Sequence, residues 1–193
     1  SYNISSIFIM GETYIGIEAF VIADDYMDNY KKKLPKNKLT IVGKTKIDKN
    51  AFHNSTLTDV NINGSAQIGE KAFYMTDYLK SFIINGSINQ EVYLDKNSIG
   101  YCNALQNIHI TGKITMDKQA LVSIKLVKPS IIITSNNIIT LGEFINSANK
   151  VSTTLTLKHS EDNPIFKINN KNIIPNQKTV SGGLTFTLKP QKI

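Results

Sequence analysis

A chain of 193 residues that is 41% hydrophobic and 19% charged is long enough to bury a core and too apolar for a disordered tail. Its formal charge of +7 comes entirely from lysine; there is no arginine to fork onto phosphates or bases and no tryptophan to stack on them, which argues against a nucleic-acid partner. No apolar run approaches the roughly 18 residues of a membrane-spanning helix, and the single cysteine, Cys102, excludes an internal disulfide framework and a thiol-based metal site.

The length fits one domain, or one domain with a small appendage. The chain starts at Ser1 with no visible signal peptide, which reads as a processed or excised protein. From the N-terminus, Ile4 to Gly11 reads I-x-x-I-F-I-M-G, a strand pattern closed by glycine. Four residues after that glycine begins a hexad with a bulky first residue, a small fifth and a bulky sixth, Ile15 to Ala19-Phe20. Phe20, Ala23, Met27, Tyr30 and Leu34 then recur at helical spacing, with an acidic start and the lysines 31 to 33 at the end. This predicts an amphipathic helical insertion over about 20–38.

The strand and the hexad then repeat. Leu39, Ile41 and Gly43 precede Ile47 to Ala51-Phe52; Leu57, Val60, Ile62 and Gly64 precede Ile68 to Ala72-Phe73. Leu79, Phe82, Ile84 and Gly86 precede Leu94 to Ser98-Ile99, and Leu105, Ile108, Ile110 and Gly112 precede Met116 to Ala120-Leu121. The closing glycines at 11, 43, 64, 86 and 112 are 32, 21, 22 and 26 residues apart. The hexad follows four residues behind each, except after Gly86, where the gap is eight. One such unit cannot bury its apolar side alone, so stacked units forming a solenoid are expected. Beyond Ser135 the phase drifts: Glu143 occupies the small position of a would-be hexad from Ile139 to Phe144. The runs TTLTLKHS and LTFTLKP alternate like strands between Pro164, Pro175 and Gly182-Gly183.

The repeated residues resemble BspA-like leucine-rich repeats, whose pattern is close to I-x-x-x-A-F-x-x-C-x-x-L-x-x-I-x-I-P. The resemblance covers roughly residues 1–135. The chain departs from the pattern in ending its strands with Gly rather than Pro. It also varies the polar residue before the leucine, read here as Ser55, Asp77 and Asn103, with Cys102 close to that place. The resemblance implies an α/β, β-rich right-handed solenoid with short parallel strands over 1–135. A degenerate repeat and β-rich C-terminal cap, or the start of a second module, would occupy 136–193.

His53, His109 and His159 have no metal-site spacing, and DDYMDN lacks the glycine and distal glutamate of an EF-hand loop. No nucleophile elbow, P-loop or dinucleotide glycine cluster occurs, and Cys102 has no basic neighbour to activate it, so it reads as a half-buried filler between coils. No enzymatic activity, cofactor or metal is expected. What remains is the strand face pointing out of the solenoid, where stacking aligns residues into columns: Ser6, Asp59, Ser81 and Asn107; Phe8, Thr40, Asn61, Ile83 and His109; Met10, Val42, Asn63, Asn85 and Thr111. Asp59, Asn61, Asn63, Ser81, Ile83, Asn85, Asn107, His109 and Thr111 are the candidate ligand-binding set, with a self-bonded Asn/Thr ladder as the plain structural alternative. The lysine-rich run 31–38 is a second candidate, for an acidic partner, with a solvated loop as its ordinary explanation.

By resemblance, the expected function is a non-catalytic protein- or glycan-binding module of a secreted or cell-surface bacterial protein. Its role would be adhesion or interaction with a host extracellular protein through the outward strand face. Two rivals stand beside it: a structural spacer that binds nothing, and a lysine-rich intracellular protein that meets nucleic acid or an acidic partner.

Overall fold

The computed structural model describes residues 6–21, 37–117 and 119–121, and the strand segments 130–134, 140–141, 153–158, 166–168, 171–173 and 184–188. Each sequence unit is one coil with two strands. The coils carry β1 (Ser6–Met10) and β2 (Thr13–Ile15), β3 (Asn37–Val42) and β4 (Thr45–Ile47), β5 (Leu57–Asn63) and β6 (Ala66–Ile68), β7 (Ser81–Asn85) and β8 (Glu91–Leu94), and β9 (Asn107–Thr111) and β10 (Lys113–Met116). Next come β11 (Ser130–Thr134), β12 (Thr140–Leu141), β13 (Thr153–Lys158), β14 (Phe166–Ile168), β15 (Lys171–Ile173) and β16 (Leu184–Leu188).

The first strands of the coils stack into an eight-stranded sheet, β1-β3-β5-β7-β9-β11-β13-β16, parallel throughout except for the antiparallel β13–β16 pair. The second strands form a parallel five-stranded sheet, β10-β8-β6-β4-β2; the remaining three form a small sheet, β12-β14-β15. The architecture is a parallel-strand β-solenoid, with no helix among the described residues. The helix expected over 20–38 falls mainly on 22–36, outside those residues. At its margins, Phe20 belongs to a turn, and Asn37 and Lys38 already belong to β3. Both alternating C-terminal runs contain strands, β13 and β16.

Alternation decides which side chains enter the core. From the first sheet, Leu39, Ile41, Val60, Ile62, Phe82, Ile84, Ile108 and Ile110 point inward, and from the second Ile47, Ile68 and Leu94; none exceeds 1% exposure. Each such burial is worth roughly 1.5–3 kcal/mol, so the inward columns are the main source of stability. The second sheet escaped the sequence reading. Its strands are short, and its other inward position is chemically mixed: Thr13, Thr45, Ala66, Val92 and Ile114. The hexad's bulky first residue is the last inward residue of this second strand.

The rest of the hexad is a turn that stacks coil on coil. Its fourth residue is left-handed, with φ of 55–56° at Glu18, Asn50, Lys71 and Asn97. The sixth residue's N–H donates to the small residue's carbonyl in the following coil: Phe20 to Ala51 (2.7 Å), Phe52 to Ala72 (2.8 Å), Phe73 to Ser98 (2.8 Å) and Ile99 to Ala120 (2.9 Å). A bulky fifth residue would hold the coils apart, and Ala51, Ala72, Ser98 and Ala120 are fully buried. The rings of Phe20, Phe52 and Phe73 stack nearly parallel at 4.9 and 5.2 Å between centroids, and Phe82 meets Phe73 edge-on at 5.2 Å.

The closing glycines serve the same approach. Gly64 has φ 143°, and a Cβ there would collide with the carbonyl of Gly43. Gly86 departs from the expected unusual φ, because the four extra residues after it reshape the turn. Contact constrains it instead, since a Cβ would lie 2.7 Å from the Thr111 carbonyl oxygen.

The variable polar position also needs correction. It lies three residues after the hexad's last residue, at Ser55, Thr76 and Cys102 rather than at Asp77 and Asn103. All three side chains are buried. Thr76 Oγ1 donates to the Phe52 carbonyl at 3.1 Å and Cys102 Sγ to the Phe73 carbonyl at 3.2 Å, a side-chain bond back to the previous coil. Cys102 is therefore fully buried, not half-buried, and burial pushes its thiol up to about 12.

Two outcomes test this account. Gly64→Ala and Phe73→Ala should each destabilise the protein, the first by about 2 kcal/mol or more through backbone collision and the second by about 3–5 kcal/mol through a core cavity; denaturant melts read both. Cys102 should resist alkylation until the chain unfolds. Because its folded pKa is raised, the unfolded state loses this proton first, so its effect is to lower stability as pH rises from about 9 toward about 12. Rapid labelling of the native protein at pH 8 would contradict the burial.

Candidate functional site

Strand register fixes the outward face of the first sheet. Asp59 faces Ser81 and Ser81 faces Asn107; Asn61 faces Ile83 and Ile83 faces His109; Asn85 faces Thr111, while the preceding pair in that column is Val42 and Asn63. All nine candidate residues lie at outward positions, half-buried or exposed, and the columns continue to Ser130, Ile132 and Thr134 on β11. The one position missing from the expected columns is Lys38, which stands between Ser6 and Asp59.

The face is partly self-bonded. Asn85 Nδ2 donates to Asn63 Oδ1 at 3.1 Å and, more weakly, to Asn61 Oδ1 at 3.5 Å. Thr111 Oγ1 and His109 Nε2 lie 3.3 Å apart. Thr58 Oγ1 donates to Asp59 Oδ2 at 2.8 Å, and Lys38 Nζ sits 3.7 Å from the same oxygen. The amide ladder is thus real at Asn63 and Asn85, and it orients those groups. Ile83, in the middle row, presents a half-buried apolar side chain between Asn61 and His109.

Other candidates separate. His53 packs against the Tyr74 ring at 5.6 Å, far along the coil from His109 on the strand face; His159 lies outside the described residues. Among the described residues no group of three or more potential ligands could hold a metal ion, and no helix is long and apolar enough to cross a membrane. Of the lysines in the run 31–38, only Lys38 belongs to the described residues, and it pairs with Asp59. The sequence reading missed the outward row of the second sheet: Tyr14, Lys46, Gln67, Tyr93 and Thr115. Its only sequence signal is the pair of tyrosines, each one residue before a hexad's first position.

A family model described as BspA type leucine rich repeat region matches residues 30–170 in six copies. No curated protein and no solved structure matches the chain.

Asn85→Ala removes both amide bonds from an exposed site and should cost at most about 1 kcal/mol. A larger loss in a denaturant melt would mark the ladder as structural rather than as a surface open to a ligand.

Proposed function

The chain belongs to the BspA-type leucine-rich repeat family, and from that membership we propose that it is a non-catalytic binding module of a secreted or cell-surface bacterial protein. Its ligand is a protein, held on the outward face of the first sheet around β5, β7 and β9. Repeats of this family generally serve as scaffolds for protein binding and are typical of bacterial surface and secreted proteins, which supports the class of function and its place. We place the platform within residues 1–135, with 136–193 as a degenerate repeat and β-rich cap.

The observation that carries the reading is the row Asn61–Ile83–His109. Parallel register puts an apolar side chain between two polar ones on adjacent strands, and the backbone beneath is locked by stacking. A rigid platform loses little entropy when a partner docks. The six strands of this sheet within residues 1–135, β1 to β11, span about 24 Å at roughly 4.8 Å per step, close to the edge of about 28 Å of a square patch of roughly 800 Å², one partner's share of a standard interface. Binding energy would concentrate on a few central positions rather than spread over the sheet.

The test is capture on immobilised, purified extracellular-matrix and bacterial surface proteins. The native chain should bind one of them, and the triple variant Asn61→Ala, Ile83→Ala, His109→Ala should bind at least tenfold more weakly with an unchanged melt. Capture unaffected by the triple variant, or no capture at all, would overturn the sheet-face reading and favour a spacer, for which the self-bonded Asn63–Asn85 ladder already offers a rationale.

A further inference from the structure

The second sheet carries a depression of about 600 Å³ that the first-sheet reading does not use. From the coil of β6, Ser65, Ala66 and Gln67 line it. On one side stand Lys44 and Lys46 of the next coil, backed by Glu12 and Tyr14; on the other stand Gln90 and Glu91. That second wall exists because of the eight-residue gap after Gly86: the extra residues turn back on themselves, with Gln90 N–H donating to the Ser87 carbonyl (2.9 Å) and Gln90 Oε1 accepting from Ser87 N–H (2.7 Å). The one break in the glycine-to-hexad spacing therefore supplies one side of the depression.

The chemistry of the walls narrows the ligand. Glu12 and Glu91 oppose Lys44 and Lys46, so the depression is electrically balanced in a chain of charge +7. Glu12 and Lys44 bond at 2.8 Å, which holds the Glu12 carboxyl below and the Lys44 ammonium above their usual ranges. Such a site favours neither a polyanion nor a polycation. It offers ammonium and amide donors beside carboxylate and amide acceptors, an arrangement that suits hydroxyl groups, each of which donates and accepts.

An aromatic wall completes the site. Tyr14 is 63% exposed, yet it is pinned: its hydroxyl donates to Asp48 Oδ2 at 2.7 Å and Lys46 Nζ lies 5.1 Å from its ring centre. A ring held in place beforehand gives contact area at little entropic cost. In the same row, Lys46, Gln67 and Tyr93 follow on β4, β6 and β8, so a second exposed tyrosine, beyond the lining of the depression itself, stands about 14 Å from Tyr14 across three steps of roughly 4.8 Å, with an ammonium and an amide between them. Ring faces pack on the C–H faces of pyranoses, and the groups between reach their hydroxyls. The volume lies within the roughly 300–1,000 Å³ of small-ligand sites, too small for a folded partner.

We propose that the depression on β2, β4, β6 and β8 is a subsite for a short neutral oligosaccharide, separate from the protein-binding face of the first sheet.

The experiment is an NMR titration of the whole isotopically labelled chain with neutral trisaccharides of glucose, N-acetylglucosamine and galactose, and with a sialylated trisaccharide and an acidic and a basic hexapeptide as contrasts. At least one neutral trisaccharide should shift amides of β2, β4, β6 and β8. Tyr14→Ala and Gln67→Ala should each weaken it at least fivefold with the fold intact by NMR, whereas the first-sheet triple variant should not. Shifts confined to the first sheet, binding of only the acidic trisaccharide or of a hexapeptide, insensitivity to both substitutions, or no response to any neutral trisaccharide would each overturn the proposal. The first-sheet reading is scored by protein capture and stands or falls independently.

Discussion

Close stacking of one coil on the next, in backbone register apart from a shift between Asn37 and Lys38 where β3 meets β5, is the constraint from which the other features follow. Each closing glycine donates its N–H to the next coil's strand end, from Gly11 to Val42 (2.8 Å) through to Gly112 and Thr134 (3.1 Å). At that separation a Cβ on Gly43, Gly64 or Gly86 would run into a neighbouring coil's carbonyl, and there is no room for a large side chain at Ala51, Ala72 and Ala120. The hydrogen bonds are worth only about 1 kcal/mol each net, less than the burial of one isoleucine. Their role is to set geometry, since a buried polar group left unpaired costs more than the bond gains. Aliphatic burial supplies the energy, and the backbone ladder decides the distance at which it is collected.

The same constraint explains what could be read in advance. The small-bulky pair, Ala-Phe in three coils and Ser98-Ile99 and Ala120-Leu121 in the other two, recurs with the glycine because contact with an equivalent neighbour selects both, so five coils spell the same requirement. The outward columns were equally legible, because period-two alternation and fixed register leave one choice of facing residues. The second sheet was harder. Its strands are three or four residues long, and its inward partners range from Thr45 to Ile114, since a threonine, an alanine or an isoleucine all fit there. The Ser55, Thr76 and Cys102 position slipped by one residue in two coils for a related reason. It keeps a fixed distance from the phenylalanine whose carbonyl row it joins, while its distance to the following leucine varies from two residues (Ser55 to Leu57) to three (Thr76 to Leu79).

The first and second coils differ in how deeply equivalent residues are buried. In the first coil Ile7 and Ile9 occupy inward positions but are only partly buried, whereas Leu39 and Ile41 beside them are at most 1% exposed. Phe20 is 47% exposed at the head of a ring stack in which Phe52 is 1% exposed. Among the described residues β1 pairs with a strand on one side only, whereas β3 pairs on both, and burial follows that pairing, as expected for a quasi-one-dimensional fold whose stability is a sum of nearest-neighbour terms.

Ligand recognition has to be built from positions that stacking leaves undetermined, and the two sheets leave different kinds. On the first, amides and hydroxyls bond along the column and hold Ile83 among them. On the second, charge alternates between coils, as in Glu12–Lys44 at 2.8 Å and Lys49–Glu70 at 2.9 Å on the adjoining turn. Exposed pairs of this kind contribute roughly 0–1 kcal/mol to stability, too little to account for their placement by folding alone. Their larger effect is on the field: they neutralise part of an all-lysine excess where it would otherwise repel coil from coil. A face with its charges already matched has little long-range pull on ions. It discriminates instead by shape and by short-range hydrogen bonding, which makes the irregular turn after Gly86, the source of the Gln90 and Glu91 side of the depression, the feature most able to distinguish one ligand from another.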